Sequence, residues 1–510
     1  DLLLIFVFIA AVSMVLSVYR YYIQSFLALR WRRWLTRQFL NRWLENRSYY
    51  YLEDFNHSTD NPDQRIQEDI NSLVSSSLTL LLGMLSAVVT IFAFVFVLWS
   101  LSGTLKIPLG SLGVLHIPGY LVWVAIIYAM AGTFVTFRVG RPLIMLNFEQ
   151  QRREANFRFA AIDLRSHAEH VALYRGEEHQ KTVLNKIFNG VLDNWYAIIL
   201  RQKLLLWFTG GYNQVSVLLP LLVALPNYFN KVFKLGGLIQ SLSAFTRIQE
   251  GLSFIVNSYT AIAEWQAVMQ RLLGFLNRID EVEQDAMKSD HFSRSILMTD
   301  HDSIVLKDLT IFTPAGVKLL ADVTQTFEHG QNYWVKGDSG LGKSTLVRAL
   351  AGIWPYGSGV ITLPQGQNIM YIPQRTYMPL GTLREALLFP DSVFPVSDDE
   401  LKKILCDCDL PNLTSQLDRV AAWSEQLSPG ELQRIAFVRI LLHRPDWVFL
   451  DESTSALDLG REQKLYQLLK KQLPGCSIVS VGHRPSLDEH HDQVVDLSQY
   501  AVLRTDMADA

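Results

Sequence analysis

The sequence predicts two unlike domains: an all-α transmembrane domain over residues 1–280 and an α/β nucleotide-binding domain of P-loop type over 301–510, joined by a linker at 281–300. Three observations carry this expectation. Apolar runs long enough to cross a bilayer are confined to the chain before about residue 270. From Asp300 onward, short β-rich runs alternate with glycine and turn residues. One of those runs opens into a glycine-rich loop with phosphate-binding spacing. A length of 510 residues is too great for one ordinary core, which agrees with a division into at least two domains.

In the first domain four runs reach or approach the length of a span: Leu2 to Val18, Ser77 to Leu101, Gly119 to Phe137 and Leu204 to Pro226. A fifth, Leu235 to Ala263, is apolar enough to span but carries Arg247 and Glu250. Arginines gather after the first span (Arg30, Arg32, Arg33, Arg37, Arg42, Arg47) and after the third (Arg138, Arg141, Arg152, Arg153, Arg158, Arg165), which assigns both segments to the cytoplasm. The loops Ser102–Pro118 and Asn227–Lys234, with only Lys106, Lys231 and Lys234, then face the other side. Five spans with an outward start lead to the expectation of one further helix before Asp1. The segments Arg30–Asn71 and Arg138–Gln202 are rich in helix formers and are expected to project from the bilayer as helices.

Arg247 and Glu250 fall about 18 to 22 Å along the last span, near the bilayer midplane. Charges at that depth face a cavity or pair with each other. A spacing of i, i+3 permits an intrahelical pair, and the other reading places both on the substrate path.

In the second domain, "NYWVKGDSGLGKST" is an apolar strand followed by the loop Gly337, Asp338, Ser339, Gly340, Leu341, Gly342, Lys343, Ser344, Thr345. This is the Walker A pattern. Its glycines let backbone N–H groups face ATP phosphates, Lys343 reaches the β/γ oxygens, and the Ser344 hydroxyl suits Mg2+. "WVFLDE" is an apolar strand ending in two carboxylates: Asp451 fits a Mg2+ ligand and Glu452 the group that polarises the attacking water. A net charge of -3 leaves no basic footprint, so nucleic acid is not an expected partner. The three cysteines, Cys406, Cys408 and Cys476, have neither metal-ligand nor disulfide spacing.

Further pieces follow in one order and resemble an ABC-type ATPase. Gln374 in "YIPQ" resembles the Q-loop glutamine, a further Mg2+ contact; "LSPGE" the signature; "SALD", ending in Asp458, the D-loop; and His483 the switch histidine. The resemblance implies that Ser428, Gly430 and Glu431 of the signature act in trans on a second copy's ATP, and so a homodimer in the lipid bilayer. At the place where such ATPases carry an adenine-stacking aromatic, this sequence has Thr313.

"NPDQRIQEDI", "EHVALYRGEE" and "YIPQRTYMPLGTLREALLFP" narrow the resemblance to ABC subfamily D, with a membrane part similar to the SbmA/BacA peptide-uptake family. This implies an exporter-type membrane domain of six helices, the first lying before Asp1. It also implies a bacterial inner-membrane location, the peroxisomal membrane being the alternative. Glu169 and Glu177 take the place of a cytoplasmic coupling element. The implied function is ATP-driven transport of a peptide-like, acyl-CoA-like or other amphipathic solute; a membrane-anchored sensor ATPase is the alternative.

Pro429 first looks like a defect, since it removes a backbone N–H from the signature. Read locally, Ser428-Pro429-Gly430-Glu431 is a capping box with proline at the first helical position, where that N–H has no helical partner anyway.

Overall fold

The computed structural model describes residues 2–54, 62–108, 114–229, 235–288, 294–391 and 396–502. It divides into two units, Asp1–Gln284 and Asp285–Ala510. Residues 289–293 of the expected linker and 230–234 of an expected external loop lie outside the described residues. The rest of the linker interval is structured, with helix through Lys288 and a strand at Arg294–Thr299.

The first unit is helical: α1 (Leu2–Leu44), α2 (Ser48–Asp54), α3 (Ile70–Ser102), α4 (Tyr120–Gly140), α5 (Pro142–Ser166), α6 (Ala168–Tyr174), α7 (Glu177–Phe229), α8 (Leu235–Leu252) and α9 (Tyr259–Lys288). Among the described residues four helical stretches are long and apolar enough to cross a membrane, and they cover the four plain spans of the sequence to within one residue at an end. The fifth run is helical but interrupted at Ser253 and Ser258, with a single turn at Phe254–Asn257 between them. The Ser253 hydroxyl is engaged by Tyr212 Oη at 2.7 Å and by Gln249 Nε2 at 2.8 Å. That polar network, buried between helices, satisfies groups that lipid could not.

The projecting segments are not single rods. Asn46 takes a left-handed φ of 53° after α1, Pro142 opens α5, and Arg175 ends α6 at φ 53°. Between Ser102 and Tyr120 the chain forms a hairpin, β1 (Thr104–Pro108) against β2 (Val114–Pro118).

A buried ionic triad ties the start of α3 to α9. Residues Arg65–Asp69 form a π-helical turn, a local widening often found where side chains must be re-aimed. Asp69 accepts from Arg65 Nη1 at 2.8 Å and from Arg271 Nε and Nη2 at 3.0 and 2.7 Å. All three residues are at most 5% exposed. Around the triad pack Ile70, Leu73, Val74, Leu272 and Phe275.

In the second unit the strands form two sheets. A parallel five-stranded sheet has the order β13 (Gln493–Asp496), β6 (Tyr333–Lys336), β12 (Ser477–Val481), β11 (Trp447–Asp451), β8 (Ile369–Ile372). Its central strands β11 and β12 are buried along their whole length, which is why both read as continuous apolar runs. A four-stranded sheet has the order β3 (Arg294–Thr299), β7 (Gly357–Pro364), β4 (Ile304–Phe312), β5 (Lys318–Phe327). A small pair, β9 (Gly381–Thr382) and β10 (Val420–Ala421), completes the strands. The helices that matter for the site are α10 (Lys343–Leu350), α11 (Leu383–Leu388), α12 (Asp398–Asp407), α13 (Pro429–His443) and α14 (Leu459–Gln472). Leu383, Leu387, Leu405, Ile435, Phe437, Ile440 and Tyr466 join one core beneath them.

Removing one member of a buried ion pair leaves the others uncompensated, at a cost of about 3 kcal/mol or more. Asp69→Ala is therefore expected to lower the thermal midpoint of the detergent-purified protein clearly. An unchanged midpoint would show that the triad does not hold α3 to α9.

Candidate functional site

Parallel strands deliver their chemistry at their C-terminal ends, where the loops to the following helices converge. Here β6, β8, β11 and β12 lie side by side in that sense. Their ends carry the Walker A loop, Gln374, the Asp451/Glu452 pair and His483. Four segments separated by up to 146 residues in sequence (337 to 483) thus meet along one sheet edge.

The Walker A loop turns through residues 337–342 into α10. Gly340 and Gly342 adopt left-handed φ values of 83° and 95°, and a Cβ at Gly342 would press 3.2 Å from Leu319 Cβ. Glycine is the residue that takes both conditions without strain. Lys343 is 6% exposed, and its Nζ donates to Gly337 O at 2.8 Å and Asp338 O at 2.9 Å. The ammonium is thereby held over the turn of the loop itself.

Ser344 Oγ donates to Asp451 Oδ1 at 3.0 Å. Burial raises the pKa of Asp451; the Ser344 hydrogen bond pulls it down and the neighbouring Glu452 pushes it up. Lys343 and Arg348 also pull it down, yet its side chain's hydrogen-bond partner is the neutral Ser344 hydroxyl. A buried carboxylate whose pKa stays raised gains from a further cation. The two oxygen donors fit Mg2+, which uses one or two carboxylates together with substrate phosphates rather than an all-protein cage. Accordingly, no cluster of three or more His, Cys, Asp or Glu suited to a metal occurs among the described residues.

Glu452 leaves the strand with a left-handed φ of 46°, its N–H donating to Val481 O at 2.9 Å. This turn separates the two carboxylates in direction. Glu452 Oε2 accepts from Gln374 Nε2 at 2.8 Å, and its Oε1 lies 3.6 Å from His483 Nδ1. Gln374, Glu452 and His483 therefore form one contact group.

The signature is built as its local sequence requires. Ser428 caps α13: its Oγ accepts from Glu431 N at 3.4 Å, and Glu431 Oε2 accepts from Ser428 N at 2.9 Å and from Ser428 Oγ at 2.7 Å. Those bonds hold the Glu431 carboxyl below its usual range. Pro429 occupies the first helical position, in keeping with its fixed φ. A Cβ on Gly430 would approach Ala456 O at 3.3 Å, so the signature backbone lies against the D-loop. Asp458 caps α14 by accepting from Arg461 N at 2.9 Å.

Two residues that sequence reasoning did not single out organise this region. Gln433 Nε2 donates to Ser455 Oγ at 3.0 Å while its Oε1 accepts from Ala456 N at 2.9 Å, joining α13 to the D-loop. Arg484, next to the switch histidine, donates to the carbonyls of Thr454, Ser455 and Leu457 at 3.1, 2.5 and 2.9 Å. Their contiguity with the signature and with His483 was the available signal.

Other expected residues lie apart from this group. Thr313 opens a turn after β4, its N–H donating to Val317 O at 2.8 Å and its Oγ1 accepting from Val317 N at 3.1 Å. In the membrane unit, Glu169 is in the first turn of α6 and Glu177 begins α7. Leu173 and Tyr174 between them are 73% and 87% exposed. Arg247 and Glu250 do form the i, i+3 pair, at 3.6 Å, with both side chains more than half exposed.

The membrane unit matches the family model for ABC transporter transmembrane region 2 over residues 1–229, and residues 320–455 match that of the ABC transporter nucleotide domain. An ABC transporter ATP-binding protein of Haemophilus influenzae is 36% identical over 502 residues, covering 98% of this chain and 83% of the relative. The chain belongs to the ABC transporter family. The inner membrane ABC transporter ATP-binding protein YddA of Escherichia coli is 32% identical over 98% of the chain and 87% of its own length. ATP-binding cassette sub-family D member 3 of Rattus norvegicus is 28% identical over 96% and 77%. In fold, this ABC transporter is similar to a bacterial Atm1-family ABC exporter with ATP bound, at a TM-score of 0.74 and 17% identity over 96% of the chain and 84% of that structure.

These relatives identify a half-transporter of D type, with one membrane domain and one ATP-hydrolysing domain in this ABC chain. Its spanning helices and bacterial relatives place it in the bacterial inner membrane as a multi-pass protein.

Truncating Gln433 would leave Ala456 N–H and Ser455 Oγ without their partner, each worth about 1 kcal/mol or more. Gln433→Ala is expected to reduce ATPase turnover about tenfold at saturating ATP, with nucleotide affinity changed much less. Wild-type turnover would show that the D-loop holds its position without this side chain.

Proposed function

We propose that the chain acts as a homodimer that couples ATP hydrolysis to passage of an amphipathic solute, peptide-like or acyl-CoA-like, across the inner membrane. The observation that carries this reading is the division of the site. Within one chain, Lys343, Ser344, Asp451, Glu452, Gln374 and His483 converge, while among the described residues the side chains of Ser428 and Glu431 hydrogen-bond only within their own capping box. A helix start with backbone N–H groups and a positive dipole end is suited to a phosphate that another copy supplies. A C2 arrangement then places two ATP molecules between Walker A and signature.

The chemistry follows from the geometry. Lys343 and the loop amides hold the phosphates, and Ser344 and Asp451 would hold Mg2+, which when bound neutralises charge on the transferred phosphoryl group. Glu452, steered by Gln374 and next to His483, accepts the proton of the attacking water. Ser428 and the Gly430 N–H of the second copy complete the γ-phosphate cradle, and Asp458 lies next to this junction. The exposed stretch from Glu169 in α6 to Glu177 at the start of α7 is the coupling element of this reading. A sensor without transport finds no support among the relatives.

Glu452→Gln is expected to retain ATP binding while lowering turnover by about 100-fold or more; a near wild-type ATPase rate would remove Glu452 from the base role. Pro429→Gly is expected to stay within about threefold of wild type, because the lost N–H is one the helix start leaves free; a gain of orders of magnitude would mark the proline as a brake. Arg247→Ala and Glu250→Ala are expected to alter solute stimulation of the ATPase if these residues face the path. An unchanged response would leave them as an intrahelical pair.

A further inference from the structure

One buried charge of the nucleotide domain has no part in the proposed chemistry. Glu462 lies in the first turn of α14, the helix that Asp458 caps, and is 0% exposed. A glutamate is seldom buried so completely unless it is paired. Both of its partners come from the stretch that follows His483: Ser486 Oγ donates to Oε1, and Arg484 Nη1 donates to Oε2 at 3.4 Å. One carboxylate thus holds the first and the third residue beyond the histidine.

The backbone supplies little of that hold. Neither His483 nor Arg484 gives its N–H to a backbone carbonyl among the described residues, and Pro485 has no N–H to give. The His483 side chain is 67% exposed and meets Glu452 at 3.6 Å. Beside that contact lies a cavity of about 300 Å3, its open mouth included, with Glu452, Ser455, His483 and Arg484 in its walls. Close packing does not fill this gap, so hydrogen bonds set the spacing of the two loops. Those bonds lead back to Glu462 from both sides. On the histidine side, Arg484 and Ser486 anchor the chain just past His483. On the other, Arg484 donates to the carbonyls of Thr454, Ser455 and Leu457, and Ser455 N–H closes the turn on Glu452 O at 3.1 Å. Among the described residues Glu462 is the one carboxylate paired with Arg484, and a charged partner of this kind orients the planar guanidinium fork.

We propose that Glu462 is a positioning residue for ATP hydrolysis: through Arg484 and Ser486 it sets the distance between His483 and Glu452. The proposal rests on the reading of Glu452 and His483 as residues of the hydrolytic step. To that step it adds a group that is closed to solvent and acts from behind the D-loop.

The test measures steady-state ATP hydrolysis by the full chain in lipid nanodiscs. Glu462→Gln keeps the shape of the side chain and removes its charge; it is expected to lower kcat about tenfold while KM for ATP stays within about twofold. Arg484→Lys keeps the charge and loses the fork, and is expected to do the same. Because both act through one contact, the double variant should fall within about twofold of the more impaired single variant. A merely structural glutamate would lower the thermal midpoint and leave kcat per folded, ATP-binding molecule unchanged, and that result overturns the proposal. A double variant whose loss is the product of the two single losses overturns it as well. If Glu462→Gln yields no folded protein, Ser486→Ala decides: kcat about threefold lower supports the role, and an unchanged kcat overturns it. Glu452→Gln separates this from the wider reading. A loss of about 100-fold or more there, with Glu462→Gln at wild-type kcat, refutes the positioning role alone. Wild-type turnover for Glu452→Gln refutes the hydrolytic reading and the proposal with it.

Discussion

The nucleotide site depends on the turn that ends β11. A fully buried strand delivers Asp451 to the sheet edge, and the left-handed backbone at Glu452, fixed by its bond to Val481 O, turns the next carboxylate away from the first. Two adjacent carboxylates would otherwise repel in one place. Because they diverge, Asp451 can serve Ser344 while Glu452 serves Gln374 and His483. One backbone conformation thus gives the two carboxylates separate partners, as the proposed metal and water roles require.

Around that turn the chain invests buried polar contacts in loop position. Gln433 and Arg484 hold the D-loop from two sides, one from the signature helix and one from beside the switch histidine. The signature, the D-loop and the histidine are therefore mechanically continuous within one chain. A change at one is transmitted to the others through hydrogen bonds that would be left unpaired if any of them moved alone. The membrane unit uses the same device in the Arg65, Asp69 and Arg271 triad, where ionic partners buried between helices leave few alternative arrangements.

The sequence by itself determined the two-domain plan, the four plain spans, the Walker A loop and the carboxylate pair. Each of these is written in contiguous residues whose periodicity or spacing has a direct physical meaning. The capping box at Ser428 and the place of Pro429 were legible for the same reason: a helix start is decided by four neighbouring residues.

Tertiary structure decided what contiguity cannot encode. At the break of the fifth apolar run, the Ser253 hydroxyl is bonded to Tyr212, 41 residues away. The roles of Gln433 and Arg484 exist only once α13, the D-loop and β12 are packed together. Likewise, the bonds from Arg271 to Asp69, 202 residues apart, follow from which helices meet. Local chemistry needs only the chain, whereas pairing across distance needs the fold.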